Sequence, residues 1–283
     1  MPGKTVSPEE VARFDALAAR WWDPEGPMRP LHRMNPARVA WINQRLGPVR
    51  SKTRTTDLAP RLGEGAGEGA GEADSPPAID HTAPSCSDLP QGAGINPPHI
   101  SPVRVLDVGC GAGLAAEALA RLGFDVLGLD AAGEAIAAAR AHAAGQNLPL
   151  AYRTGVAEDL LAENARFPVI TALEVIEHVP DPAAFVATLA ALLAPGGRLF
   201  LSTLNRTPQS FIAAKVGAEY LLRWLPVGTH DWRKFITPAE LGGMLRRTGL
   251  RVAAISGLVG DPLTGRWKTS RNLAVNYILA AEK

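Results

Sequence analysis

The stretch that most constrains the fold of this chain is Val103-Arg104-Val105-Leu106-Asp107-Val108-Gly109-Cys110-Gly111-Ala112-Gly113, which runs directly into Leu114-Ala115-Ala116-Glu117-Ala118-Leu119-Ala120. Its first half is an apolar, β-branched run of the kind that forms a buried parallel strand. Three glycines at alternate positions then turn the chain sharply into a helix and leave bare backbone against which a ligand can lie. The next apolar run, Phe124-Asp125-Val126-Leu127-Gly128-Leu129-Asp130, ends in an acid. A carboxylate at that strand tip is placed to accept hydrogen bonds from ribose hydroxyls. The glycine spacing is G-x-G-x-G rather than G-x-G-x-x-G, and Asp107 stands just ahead of the glycines. An acid there suits the charged amino group of an amino-acid-like ligand, which a nicotinamide dinucleotide lacks.

Asp107, Gly109, Gly111, Gly113 and Asp130 together resemble the S-adenosylmethionine (SAM) pocket of Rossmann-like methyltransferases. The other readings are a dinucleotide site, disfavoured by the spacing, and a turn that serves packing alone. The bulk sequence fits a globular enzyme: 283 residues, 46% of them hydrophobic, suffice for one full α/β domain with additions. A net charge of +1, with basic residues scattered, gives no indication of nucleic-acid binding. The two cysteines, Cys86 and Cys110, lie in a low-complexity stretch and in the glycine turn, so no disulfide is expected and a reducing cytoplasm fits. No secretory signal and no apolar run of about 18 residues is found, so the chain reads as neither exported nor membrane-spanning.

Ahead of the glycine turn, Ser7-Pro8-Glu9-Glu10 is a helix start, and Val11, Phe14, Ala18 and Trp21 fall on one face of the helix it predicts. Asn35-Pro36 predicts the start of a second helix with Val39, Ile42 and Leu46 on its apolar face. Residues 1–50 therefore read as an N-terminal helical cap. The tryptophans Trp21 and Trp22 suit either core packing or a cover over an aromatic substrate. Residues 51–101, with a Gly-Glu-Gly-Ala repeat and few large apolar side chains, are expected to be a disordered insert. Its His81 and Cys86, with His99, are too dispersed for a metal site.

From 102 to 283 strands alternate with helices, which predicts a mainly parallel, seven-stranded sheet covered on both faces. The last two strands, at about 250–258 and 275–280, have no helix between them and predict an antiparallel hairpin at the edge. In such sheets the ligand lies beyond the carboxyl ends of the strands. There the fourth strand runs into Glu174-Val175-Ile176-Glu177-His178-Val179-Pro180-Asp181-Pro182. At i, i+3, i+4 spacing, Glu174, Glu177 and His178 could share one divalent cation, with Mg²⁺ suited to the oxygen-rich set. The alternative is that these side chains hydrogen-bond within the loop and shape the pocket floor.

Several motifs resemble the ubiquinone-biosynthesis O-methyltransferases. They are Arg20-Trp21-Trp22-Asp23, Leu31-His32-Arg33-Met34-Asn35-Pro36, the glycine turn, Glu174-to-Pro182, Ser202-Thr203-Leu204-Asn205-Arg206, Val216-Gly217-Ala218-Glu219-Tyr220, Gly228-Thr229-His230-Asp231 and Asn276-Tyr277. The resemblance covers nearly all of the chain outside the insert. It implies methyl transfer from SAM to a ring hydroxyl of a polyprenylated phenol or demethylubiquinol. It places SAM contacts at Arg38, Gly109, Asp130 and Leu173, and marks Glu174, Glu177 and His178 as metal ligands. Ala112 departs from the pattern, where glycine is common, and is tolerable at negative φ. A phenol ionises near pKa ~10, so either a metal or a histidine base, His178 or His230, beside Glu174, is expected to supply the oxyanion. Because the implied substrate is a membrane isoprenoid, the amphipathic stretch 208–225 suggests a helix on an anionic membrane surface; packing over the active site is the other reading. The resemblance thus implies a protein peripheral to the inner face of the membrane and a ubiquinone biosynthetic complex as its partner. The rival functions are C-methylation in the same pathway and a non-catalytic SAM-binding scaffold.

Overall fold

A computed structural model of the chain describes residues 6–47, 102–212, 231–261 and 264–283, which form one compact unit. Eight strands make one sheet in the order β3-β2-β1-β4-β5-β8-β6-β7. They are β1 (Arg104–Val108), β2 (Asp125–Asp130), β3 (Leu150–Thr154), β4 (Phe167–Leu173), β5 (Leu193–Leu204), β6 (Arg251–Gly260), β7 (Trp267–Ser270) and β8 (Asn276–Glu282). The first five pair in parallel. β1 and β4 carry almost uninterrupted buried residues, as strands covered on both faces must. The chain winds one way from β1 to β2 and β3, and the other way to β4 and β5. That reversal opens a crevice at the carboxyl ends of β1 and β4.

The sheet departs from the expected seven strands at its far side. β8 is antiparallel to both β5 and β6 and lies between them, so the last pairing is internal rather than an edge hairpin. The edge is β7, four residues antiparallel to β6. Trp267-Lys268-Thr269-Ser270 is too short and too polar to announce itself as a strand; its partner decides it.

The helices α3 (Leu114–Arg121), α4 (Gly133–Ala143), α5 (Ala157–Ala162), α6 (Pro182–Leu192) and α8 (Pro238–Arg247) connect the strands; a short helical turn, α7 (Pro208–Ser210), follows β5. The start of α8 is the capping box its sequence predicts. Glu240 N donates to Thr237 Oγ1 at 3.3 Å, and Thr237 N donates to Glu240 Oε2 at 2.9 Å.

The N-terminal helices differ from the expectation in two ways. α1 (Pro8–Asp15) ends before Trp21, and a 3₁₀ turn at Ala18–Arg20 brings Trp21 into the interior. α2 (Arg29–Leu46) begins six residues before the predicted cap and passes through Pro36. Pro30, in its first turn, serves as the helix start instead. Asn35 is freed for a tertiary role: its Nδ2 donates to the Leu114 carbonyl at 2.7 Å and ties α2 to the first residue of α3. Residues 51–101, and all but the beginning of the predicted 208–225 helix, lie outside the described residues. No helix among the described residues is long and apolar enough to cross a membrane.

Candidate active site

The turn after β1 is built from backbone that only glycine adopts readily: φ is +69° at Gly109, +54° at Gly111 and +92° at Gly113. Ala112 stays out of that region, as its methyl requires. The turn is tied to the tip of β2. Gly109 N donates to the Leu129 carbonyl at 2.7 Å, and Gly111 N to Asp130 Oδ2 at 2.8 Å. The second Asp130 oxygen accepts from Ala132 N at 2.8 Å. Burial pushes the Asp130 carboxyl up, against the pull of these backbone N–H groups. Trp22 clamps the turn from the other side, its Nε1 donating to the Ala112 carbonyl at 2.9 Å while its ring stacks on His142.

A cavity, partly open to solvent, lies over this turn. Gly109, Gly111, Asp130, Leu173, Glu174 and His178, all named from sequence, line it together. Its opposite wall comes from the N-terminal segment, with Glu10, Phe14 and Trp21. Trp21 therefore packs and lines the pocket at once, while Trp22 belongs to the clamp. Arg38, Asp107 and Glu177 are not in the lining; all three are buried. His230 lies outside the described residues.

Those three residues form a charged layer with Glu174. Arg38 is 3% exposed; its Nη1 lies 4.0 Å from Glu174 Oε1, and its charge also bears on Asp107 and Glu177. Asp107 Oδ1 accepts from Thr171 Oγ1 at 2.6 Å, while its buried Oδ2 has no partner. Arg38 thus stands behind the cavity wall as a counter-charge to these carboxylates. Asp107 stands behind the glycine turn, outside the cavity lining.

The expected metal triad is not assembled. Glu174 takes φ +58° at the end of β4, so the following Ile176–His178 3₁₀ turn is not continuous with it and the helical i, i+3, i+4 face does not exist. The three side chains go to different partners. Glu174 accepts from Ser202 Oγ at 2.6 Å, Glu177 from Thr203 Oγ1 at 2.9 Å, and His178 Nδ1 meets Glu10 Oε2 at 3.2 Å. Among the described residues no group of three or more His, Cys, Asp or Glu is placed to hold a metal ion. As placed here, these side chains do not form a metal-binding group.

The electrostatics of the layer set its pH dependence. Burial pushes the Asp107 carboxyl up to about 6. Burial and the neighbouring Glu174 push Glu177 up to about 7. Burial alone pulls the His178 imidazole down, but the Glu10 hydrogen bond and the charges of Glu177, Glu10 and Glu174 outweigh it and raise its pKa. A group whose folded pKa is raised gives stability that is complete below its unfolded value and lost as pH rises through the folded one. All three groups act in that direction. Glu10, whose carboxyl is held low by His178, opposes them only at acid pH. The unfolding midpoint is therefore expected to fall by roughly 5 °C between pH 5.5 and 8, measured by calorimetry. A flat or rising profile would contradict this assignment of charges.

Glu10 and Phe14 were not legible as site residues. The helix-start pattern accounts fully for Glu10, and nothing local ties it to a side chain 168 positions away.

The comparisons agree with this geometry. A methyltransferase domain family model matches residues 70–255. A ubiquinone biosynthesis O-methyltransferase of Methylobacterium nodulans is 42% identical over 281 residues, covering 99% of this chain and 97% of the relative. One of Cereibacter sphaeroides is 44% identical over 279 residues, covering 98% and 96%. A solved structure described by the conversion of a disulfide bond into a thioacetal group during echinomycin biosynthesis is similar at TM-score 0.50 and 22% identity. It covers 64% of this chain and 76% of its own, and it shows the fold alone. The family resemblance and the Rossmann-like fold class read from the sequence are borne out. On near-full-length identity to these relatives, a matching domain model and a glycine turn closed by an acidic strand tip, the chain belongs to the ubiquinone biosynthesis O-methyltransferase family of SAM-dependent enzymes.

Proposed function

We propose that the chain methylates ring hydroxyls of two polyprenylated intermediates, 2-polyprenyl-6-hydroxyphenol and 3-demethylubiquinol, with His178 as the base. One observation carries this reading: a single cavity is lined both by the Gly109–Asp130 cradle and by a half-buried, partnered imidazole, with apolar side chains around them. When bound, SAM supplies a methyl group on a positively charged sulfur, so the work left to the protein is placement and proton removal. Asp130, fixed by two backbone N–H groups, keeps lone pairs free for ribose hydroxyls. Phe14, Trp21, Val175 and Phe185 give apolar surface for an aromatic ring. His178 takes the phenolic proton, and its raised pKa brings it closer to that of the phenol it must deprotonate.

The polyprenyl tail fits a substrate delivered from a bilayer, and the chain's docking there is part of the same reading. Phe211 and Ile212 are 40% and 61% exposed at the start of the 208–225 stretch, which supports apolar contact with lipid beside its basic residues.

The test is transfer of labelled methyl from SAM to a short-chain demethylubiquinol. Label that is released by ether-cleaving acid is expected. Label that stays on the ring after cleavage would mean C-methylation and end the proposal.

A further inference from the structure

The imidazole of His178 is held by a helix from the other end of the chain. On α1, Glu10 and Phe14 are one turn apart on a shared face. Glu10 Oε2 lies 3.2 Å from Nδ1, and the Phe14 ring meets the imidazole edge-on at 5.2 Å and 84°. The carboxylates near it in sequence are engaged elsewhere: Glu177 with Thr203, Glu174 with Ser202, and Asp181 with the amides of Ala183 and Ala184. Among the described residues Glu10 alone hydrogen-bonds the ring. It is held ionised by that bond, with Arg13 at 3.4 Å and Lys234 at 3.7 Å as further counter-charges.

We propose that Glu10 is the positioning carboxylate of the reaction: carried on α1, it keeps the proton on His178 Nδ1 and leaves Nε2 to accept the proton of the substrate hydroxyl. The inference rests on the reading of His178 as the base. A carboxylate opposite one ring nitrogen fixes the tautomer, since the hydrogen bond made by one nitrogen decides which state the other takes. It also stabilises the imidazolium formed when the phenolic O–H bond breaks, its electron pair stays on oxygen and the proton moves to Nε2. The base is then complete only while α1 lies across the cavity.

The rival is that the Glu10–His178 contact merely docks α1. The two differ in what they change. The full chain carrying Glu10→Ala is expected to lose about 30- to 100-fold in kcat, with the SAM KM within about two-fold. Glu10→Gln, which keeps an acceptor oxygen without the charge, is expected to recover part of that loss. Nitrogen NMR of histidine-labelled protein without substrate or SAM is expected to show His178 protonated at Nδ1 in the parent and in Glu10→Gln. In Glu10→Ala the proton is expected to shift toward Nε2. As the docking control, Asp15→Asn weakens the contact of α1 with the Glu134 amide, 2.9 Å long, without touching His178, and is expected to act on KM rather than kcat. If Glu10→Ala does not fold, Glu10→Gln and its spectrum carry the same comparison. An unchanged tautomer, or a loss confined to KM, would overturn the positioning role. The base reading fails separately, if His178→Ala keeps the parental kcat; loss in His178→Ala with none in Glu10→Ala would remove Glu10 alone.

Discussion

Arg38→Met is expected to destabilise the fold by about 3–5 kcal/mol at pH 8, and by clearly less at pH 5.5. Arg38 is the buried guanidinium whose charge bears on Asp107, Glu174 and Glu177. Methionine fills much of its volume, so the loss is electrostatic rather than a cavity effect. Without the cation, the buried carboxyls of Asp107 and Glu177 lie near Glu174 uncompensated, and their desolvation cost is felt whenever they are ionised. Below the raised values of Asp107, about 6, and Glu177, about 7, those two bind protons and need no counter-charge. The variant's stability is therefore expected to fall more steeply with rising pH than the parent's. Urea unfolding at the two pH values measures this. Equal losses at both would show that Arg38 contributes packing, not charge.

Gly111→Ala has the second large expected effect, and it acts on the ligand. The position holds φ +54°, and an added methyl would overlap Cζ2 of Trp21, which is only 5% exposed. The chain can relieve the overlap by moving the indole or by opening the turn, and either change breaks the floor-to-wall contact over the cavity. The backbone conformation alone costs about 1 kcal/mol for a non-glycine residue. Overpacking adds about 1–3 kcal/mol. Opening the turn would also stretch the Gly111 N–Asp130 bond that fixes the carboxylate. SAM affinity is expected to drop at least about 100-fold, read by calorimetric titration, with unfolding stability down by about 2–3 kcal/mol. Gly133→Ala is the matching control, because a methyl there meets no neighbour within 4 Å. Parental affinity in Gly111→Ala would show that the Trp21 contact is irrelevant to the pocket.

Much of the site was open to reading because local rules govern it. Alternate glycines force the turn, an acid ending an apolar run marks the strand tip, and Thr237-Pro238-Ala239-Glu240 caps its helix as short-range hydrogen bonding dictates. Where a local signal competed with a tertiary one, the tertiary one won. Asn35-Pro36 looks like a helix start, yet Asn35 bonds to Leu114 and the helix runs through Pro36. Glu174, Glu177 and His178 look like one ligand face, yet the positive φ at Glu174 sends each to a different partner.

The sequence by itself determined the α/β class, the cofactor cradle and the family, since each is written in contiguous residues whose conformations follow from their own chemistry. Only the tertiary structure decided that β8 slips between β5 and β6, that Arg38 sits behind the cavity among carboxylates, and that Glu10 meets His178. Those outcomes depend on register and burial between segments far apart in the chain, where no local spacing carries the information.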